Sequence, residues 1–318
     1  MYFTLFSSVY QQKYFYISIS TNGTVMEMSK TSEVIYGDEI FFNFIEVPFQ
    51  EISQSGNLVK KIKQQQIHGF VIRDVFTTAE VDTVKEILAG LTEQDTLTTP
   101  SGQLFPAPFA TMSNSDDMLK LYFDKLDLLY DLKEKQPAIK AMLEKMDQVF
   151  KSVAQDYKVG IPVNKIRHAP VAAGTFRIFL PGRGGLHVHC GNLFQAQSMH
   201  YYSLIENDID MNDQLSYFLV LQNSEQGGEL TIYDMLWQNV KRKESPEENS
   251  FVIDDDGKRI YLKDVRSFTV KPKVGDILIF SGGPIWHRVE NIVGSIPRIT
   301  FGGFLNFSKD DTELYYWS

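Results

Sequence analysis

The 318-residue sequence predicts an α+β protein, with helices in its N-terminal half and a β-sandwich or barrel in its C-terminal half. Two patterns predict this class. Before residue 160, apolar residues recur at spacings of three and four, which is typical of helices that bury one face. After residue 163, short runs of β-branched and aromatic residues are separated by turn residues, which is typical of sandwiches and barrels.

Two strands and a helix open the predicted fold. The runs 41–47 and 68–75 predict the strands. Thr77 and Glu80 stand at capping-box spacing, so a helix is expected to begin there. The apolar face of this helix consists of Val81, Val84, Ile87, Leu88 and Leu91. Residues 94–115, which include three prolines, then predict a long loop that we expect to border the substrate pocket.

Two longer helices follow at 117–133 and 137–157, and Pro137 suits the first turn of the second. Their apolar stripes predict helices that pack against the outside of a sheet. The strands of the C-terminal half are predicted at 175–180, 215–221, 229–233, 268–270, 276–280 and 298–307.

Composition limits the compartment and the partners. A net charge of -9 and a pI near 5.2 argue against nucleic acid, which requires a basic surface. The single cysteine, Cys190, excludes an intramolecular disulfide, and we expect a buried structural thiol. No run approaches the roughly 20 apolar residues of a membrane span, and the N-terminus lacks the basic region of a signal peptide. We therefore expect a cytoplasmic protein with no membrane contact.

Three histidines suggest a metal held between two strands. His187 and His189 lie in one short segment, and His287 follows the run 276–280. Non-haem iron sites of the 2-His-1-carboxylate type take His-x-Asp or His-x-Glu from one strand and a distant histidine from another. Here Gly191 stands in the carboxylate position, where strand alternation is expected to turn it to the side of His189. A small anion would fit this vacancy, although a strand glycine also marks a bulge or a close backbone approach.

A second pair of residues predicts a binding site for a dicarboxylic acid. Arg298 and Thr300 lie two positions apart on a predicted strand, so the guanidinium and the hydroxyl share one face. A guanidinium binds a carboxylate through two parallel hydrogen bonds. The spacing from His287 to Arg298 is that of iron- and 2-oxoglutarate-dependent oxygenases.

The C-terminal half resembles the carrier-independent iron(II)/2-oxoglutarate-dependent halogenases, the family of the cyanobacterial hapalindole/welwitindolinone alkaloid chlorinase. The resemblance is carried by the segments 175–182, 189–192, 212–218, 227–230, 287–289, 297–298, 302–305 and 315–318. It implies a double-stranded β-helix core (jelly roll, cupin-like), braced by helices from the N-terminal half. It also implies one oxygenase-type domain at residues 29–318, preceded by an N-terminal extension at 1–28.

The resemblance assigns a role to each matched position. It implies that His189 and His287 bind Fe(II), that Gly191 makes room for chloride, and that Arg298, with Thr300, holds 2-oxoglutarate. Asn192 and Arg177 are candidates for hydrogen bonds that fix the ligands and the halide. A three-histidine site that includes His187, as in cupin-type dioxygenases, is the alternative. We prefer His189 as the ligand, since Gly-Asn follows it as in the family.

The implied activity is chlorination of an unactivated aliphatic carbon. Fe(II), 2-oxoglutarate, chloride and O2 are the implied cofactors, and succinate and CO2 are the products of 2-oxoglutarate. The substrate would be a freestanding small molecule of the natural-product type, without a carrier protein. Residues 238–264 are a charged insertion, which is either solvated or a lid that begins near Trp237. The alternatives are a hydroxylase with the same iron and 2-oxoglutarate, and a non-catalytic jelly-roll sensor of 2-oxoglutarate.

Overall fold

The computed structural model describes residues 41–109, 115–197, 203–212, 214–240, 251–254 and 256–318. The predicted N-terminal extension and residues 241–250 of the insertion lie outside these ranges. Within them, no helix is both long and apolar enough to cross a membrane.

The described α-helices confirm the three helices predicted in the N-terminal half. They are α1 (Leu58–Lys63), α2 (Thr78–Ala89), α3 (Asp116–Lys135), α4 (Pro137–Ala154) and α5 (Gly191–Gln197). The side chain of Thr77 caps the backbone of Glu80, and Glu80 returns the bond, so the predicted capping box is present. Helix α4 ends three residues earlier than predicted, because Gln155 leaves the helical conformation at a φ of 37°.

Most strands belong to two sheets. In chain order the strands are β1 (Phe44–Pro48), β2 (Gly69–Arg73), β3 (Leu97–Thr99), β4 (Gly102–Phe105), β5 (Lys158–Gly160), β6 (Val163–Asn164), β7 (Ala169–Pro170), β8 (Thr175–Phe179), β9 (Leu186–His189), β10 (Leu215–Gln222), β11 (Leu230–Leu236), β12 (Phe251–Ile253), β13 (Arg259–Tyr261), β14 (Ser267–Val270), β15 (Ile277–Phe280), β16 (Ile285–Val289), β17 (Arg298–Phe307) and β18 (Glu313–Trp317). A ten-stranded sheet has the order β1-β2-β15-β10-β17-β8-β4-β3, with β18 and β5 joined beside β17. A four-stranded sheet has the order β14-β11-β16-β9.

The two sheets enclose one apolar layer, which confirms the jelly-roll core. Phe179, Leu278 and Phe280 of the large sheet belong to the same buried cluster as Ile232 and Ile285 of the small sheet. Burial of such side chains is the main favourable contribution to folding.

Helices cover the outer face of the large sheet, as predicted. The ring of Phe150 in α4 lies 4.8 Å from the ring of Tyr217 in β10 and 4.7 Å from that of Tyr316 in β18. The hydroxyl of Tyr122 in α3 accepts a hydrogen bond from the backbone N–H of Ala172, at 2.9 Å. The N-terminal helices therefore brace the sheet from outside.

The predicted long loop at 94–115 is partly wrong. Strands β3 and β4 form a hairpin there, and β4 continues the large sheet beside β8. Gly102 makes this pairing possible, since a Cβ at that position would overlap the carbonyl oxygen of Ile178. A short hairpin whose contacts lie about seventy residues away in sequence has little local signal, which is why the turn residues alone suggested a loop.

The described ends of the charged insertion pack against the protein and do not form a loop in solvent. Val240, Val252 and Leu262 are buried with Trp286, whose Nε1–H donates to the carbonyl of Val240 at 3.1 Å. The same cluster contains Cys190, which is fully buried as predicted, and burial raises the pKa of its thiol to about 12. These residues pack on the outer face of the small sheet.

Candidate active site

The two histidines predicted to bind iron face each other across paired strands. Strands β9 and β16 run antiparallel, and His189 is the direct partner of His287 in their register. Residues that are direct partners lie on the same face of a sheet. The two ring centroids are 4.2 Å apart, and both residues are buried. Phe280 of the large sheet contacts His287 edge-on at 4.9 Å, so this face looks towards the large sheet.

Both imidazole rings are oriented in the same way. Nδ1 of His189 lies 2.6 Å from the carbonyl oxygen of His187, and Nδ1 of His287 lies 2.8 Å from that of Ile285. A ring that donates Nδ1–H to a carbonyl carries its lone pair on Nε2, the form that binds a metal. Burial also lowers the pKa of His287 to about 4, which keeps the ring neutral. The donor set therefore fits a divalent metal.

His187 does not join this pair. Its side chain is exposed, and it is the backbone carbonyl that contacts His189. In the part of the chain that the structure describes, no three His, Cys, Asp or Glu residues are grouped closely enough to hold a metal ion. This arrangement favours a site with two histidines over the three-histidine alternative.

The position of Gly191 differs from the sequence prediction. Strand β9 ends at His189, and α5 begins at Gly191, so strand alternation does not set its direction. A Cβ at Gly191 would lie 3.0 Å from Cα of Gly283, 3.4 Å from the carbonyl oxygen of Gly282 and 3.5 Å from Nε2 of Gln214. The turn at Gly282 and Gly283 therefore approaches Gly191 closely, which is the close backbone approach that the sequence offered as the alternative.

Asn192 is the next residue of α5, and its side chain has an unusual environment. Its Oδ1 is buried and has no hydrogen-bond partner among the described residues. A buried acceptor without a partner is costly, so a ligand that donates a hydrogen bond would be stabilised there. Asn192 also lines a cavity of about 310 Å³, together with Trp237, Pro284 and Ile285.

Arg298, Thr300 and Arg177 lie together on the large sheet. Arg177 of β8 is the direct partner of Thr300 in β17, and Arg298 pairs with Phe179. Phe179 belongs to the apolar layer between the sheets, so this face looks towards the histidines. Arg298 is 5% exposed and Thr300 is 1% exposed. The Arg298 guanidinium lies 5.1 Å from the ring centre of Phe218.

The charges of the two arginines are not balanced locally. Burial and, to a smaller extent, the neighbouring Arg177 lower the pKa of Arg298 to about 10, while Glu229 acts in the opposite direction. Arg177 donates to the carbonyl of Gly302 at 2.7 Å. Among the described residues, neither arginine has a carboxylate within salt-bridge distance. A buried cation needs a counter-ion, so this part of the site fits an anionic ligand.

The Gly-Gly turn before β11 shapes this anion site. Gly227 and Gly228 have φ values of 72° and 74°, a conformation that favours glycine. A Cβ at Gly228 would lie 2.8 Å from Cδ of Arg298. This turn therefore leaves the space through which the Arg298 side chain passes.

Sequence reasoning missed the amide pair beside Gly191. Nε2 of Gln195 in α5 donates to Oε1 of Gln214 at 2.9 Å, and both residues are buried. Nothing in the spacing of two glutamines nineteen positions apart indicates that they meet.

Comparisons with known proteins identify the family and the fold of this chain. A family model described as carrier-protein-independent halogenase WelO5 matches residues 41–318. Among solved structures, an N-substituted L-amino acid dioxygenase in complex with alpha-KG from Burkholderia ambifaria AMMD is similar, with 13% identity, 81% of this chain and 89% of that chain covered, and a TM-score of 0.50. A Pseudomonas putida prolyl-4-hydroxylase is also similar, with 13% identity, 80% and 97% covered, and a TM-score of 0.40.

A comparison with curated proteins found no match. The likeness to solved structures, at 13% identity, shows the fold. The family model goes further, because it matches residues 41–318, a range that contains all the described strands. This chain belongs to the family of carrier-protein-independent halogenases, and it is a non-haem iron, 2-oxoglutarate-dependent oxidoreductase.

Proposed function

We propose that this enzyme chlorinates an unactivated aliphatic carbon of a freestanding small molecule of the natural-product type. One observation carries the proposal: His189 and His287 face each other on paired strands, and the residue two positions after His189 is Gly191, which offers no carboxylate to the metal. Two histidines without a carboxylate leave one more metal position open than the 2-His-1-carboxylate site does. A chloride ion can take that position.

Each of the other site residues has a stated part in this proposal. His189 and His287 would hold Fe(II) through Nε2, because their Nδ1 atoms face carbonyl oxygens. Arg298 and Thr300 would bind the distal carboxylate of 2-oxoglutarate, and Arg177 would add positive charge. Bound iron and 2-oxoglutarate supply the activation of O2 and the removal of hydrogen from the substrate.

The protein itself positions the ligands and excludes water from the site. The apolar layer between the sheets excludes water around the two histidines, which strengthens the electrostatic contacts inside the site. Asn192 would place its buried Oδ1 against a donor of the ligands or the substrate. We further propose that residues 29–318 work as one catalytic domain, and that the insertion at 238–264 serves as a lid.

Chloride titration tests the proposal directly. When 2-oxoglutarate is added anaerobically to the Fe(II)-loaded protein, we expect a visible charge-transfer band, because the cofactor chelates the iron. Sodium chloride is then expected to shift that band, since chloride enters the iron's coordination. Potassium sulfate at equal ionic strength controls for a general salt effect. A band that ignores chloride favours the hydroxylase, and no band at all contradicts the site.

Replacement of Gly191 by Asp is expected to remove the chloride response and to move the product from chlorinated to hydroxylated. The reason is that the carboxylate fills the position proposed for chloride and restores the 2-His-1-carboxylate set. The Asp Cβ would lie 3.0 Å from Cα of Gly283, so the turn must yield by a few tenths of an ångström. Gly191→Ala controls for that shift, since it adds only the Cβ. An unchanged product ratio in Gly191→Asp would count against the halide assignment.

A further inference from the structure

We infer that the cavity lined by His68 and Asn192 binds the substrate through an uncharged amide group. His68 donates a hydrogen bond to the carbonyl oxygen of that group, and the side-chain amide of Asn192 makes a second polar contact with it. The inference rests on the proposed function and deepens it, because it names a chemical class for the small molecule that the enzyme takes.

The cavity of about 310 Å³ borders the segments that carry both metal-binding histidines. Ile285 lines it two residues before His287, and Asn192 lines it three residues after His189. Its volume is at the lower end of the range for small-molecule sites, about 300–1,000 Å³. The lining combines apolar side chains, such as that of Trp237, with polar ones. The cavity therefore suits a small molecule with an apolar body and a polar group.

The neutral ring of His68 presents an N–H donor. Its Nδ1 accepts the backbone N–H of Asn43 at 3.0 Å. A ring nitrogen that accepts carries no proton, so the neutral ring has its proton on Nε2. Burial lowers the pKa of His68, which favours this neutral form. Within the described ranges Nε2 has no hydrogen-bond partner, so its N–H can donate to a ligand in the cavity.

Backbone hydrogen bonds hold His68 beside the turn that precedes β16. The N–H of His68 donates to the carbonyl of Asn43 at 2.7 Å, and its carbonyl oxygen accepts the N–H of Ser281 at 2.8 Å. Ser281 also lines the cavity. The ring of His68 lies 4.9 Å from that of Phe42. The donor is thus held in place before a ligand arrives, and little further ordering is needed on binding.

The side-chain amide of Asn192 supplies the second contact. Its Oδ1 is buried, and the amide makes no hydrogen bond within the part of the chain that the structure describes. The backbone N–H of Asn192 donates to the carbonyl of Gly283 at 3.0 Å, which holds the residue against the same turn. An amide both donates and accepts, so it pairs well with another amide. Because a buried acceptor without a partner is costly, such a ligand would be stabilised there.

The charges of the lining favour a neutral ligand. Lys63 and Asp210 are the two charged side chains among the described lining residues. Lys63 pairs with Asp311 at 2.5 Å, and one carboxylate oxygen of Asp210 accepts the backbone N–H and the side-chain amide of Asn212, both at 3.0 Å. The two charges are opposite and each already has a partner. A charged ligand would lose hydration without gaining an unpaired counter-ion, whereas an uncharged amide avoids that cost.

Benzamide is the probe that tests this class of ligand. It joins an apolar ring to an uncharged amide. We expect it to bind the protein loaded with 2-oxoglutarate, and with Zn(II) in place of iron, with a Kd on the order of 1 mM by ligand-observed NMR. N,N-dimethylbenzamide lacks the donors and should bind more weakly. Benzoate carries a charge and should not bind measurably while 2-oxoglutarate occupies the arginine site.

Two variants test the two contacts. His68→Asn removes the Nε2–H donor, but its Oδ1 is one bond from Cγ, as Nδ1 is, and can still accept the N–H of Asn43. Asn192→Leu removes the amide at similar size. We expect the benzamide Kd to rise between about twofold and tenfold in each, the range for one hydrogen bond. His68→Gln, which retains a donor, should recover part of the affinity. His168→Asn makes the same change at an exposed histidine and should leave the Kd unchanged.

A second measurement asks whether the cavity reaches the metal. With paramagnetic Mn(II) in place of Zn(II), the relaxation of bound benzamide protons should become faster. Absence of binding, equal Kd values in wild type, His68→Asn and Asn192→Leu, or binding without this relaxation effect would each overturn the inference. A charge-transfer band that still shifts with chloride would then leave the proposed function standing. Conversely, a band indifferent to chloride would contradict halogenation, and the benzamide results would still identify the ligand class.

Discussion

Replacement of His189 or His287 by alanine is expected to abolish iron binding and all turnover. The two imidazoles are the only protein ligands that we propose, and their rings lie 4.2 Å apart on directly paired residues. With one ring gone, a single histidine and water remain, which cannot hold Fe(II) through desalting. Two measurements check this result: the iron content of the desalted protein, and the charge-transfer band on addition of 2-oxoglutarate, which should be absent.

His187→Ala is the matched control for this loss. His187 lies two positions before His189 on the same strand, and its side chain is exposed. The substitution keeps the backbone carbonyl that orients the ring of His189. We therefore expect normal iron content. If His187→Ala lost its iron while keeping its fold, the three-histidine alternative would replace the site described above.

Arg298→Met is expected to weaken 2-oxoglutarate binding by on the order of 100-fold, which corresponds to about 3 kcal/mol. Arg298 is buried, has no carboxylate partner among the described residues, and shares its face with Thr300 and Arg177. Methionine keeps much of the length and loses the charge. Arg298→Lys should be intermediate, because it keeps the charge but not the two-pronged geometry. The Kd from the charge-transfer band measures both.

Arg288→Met is the control for a general effect of removing a guanidinium. Arg288 lies beside His287 in sequence, but its guanidinium pairs with Glu290 at 2.7 and 2.6 Å and is partly exposed. An exposed pair of this kind contributes roughly 0–1 kcal/mol. We expect the 2-oxoglutarate Kd to stay within a few fold. Equal losses in Arg288→Met and Arg298→Met would contradict the assignment of the carboxylate site to Arg298.

Patterns with a short period were readable from the sequence. Strand β17 has the bounds 298–307 that its apolar run predicted, which places Arg298 and Thr300 on one face. Helix α2 begins at the predicted capping box. In each case the chemistry depends on residues a few positions apart, so local spacing is sufficient to predict it.

Contacts between distant segments were not readable. The sequence placed Gly191 by strand alternation, but β9 stops at His189 and α5 starts at Gly191. The direction of Gly191 is set instead by the backbone bonds from α5 to the turn at Gly282 and Gly283. The meeting of Gln195 with Gln214 has the same origin. Neither contact produces a periodic pattern in the sequence. Each joins segments that are distant along the chain, and their positions in the sequence do not determine that they meet in the fold.

The pairing of His189 with His287 also affects how the protein holds together. Strand β9 has four residues and is the outer strand of the small sheet as described, with β16 as its neighbour. Outer strands of this length open readily, since few bonds retain them. An iron atom bound to both rings would be a removable cross-link that ties this strand to a segment about a hundred residues later. Loss of iron would then allow β9 to separate from the edge of the small sheet, and it would also inactivate the enzyme.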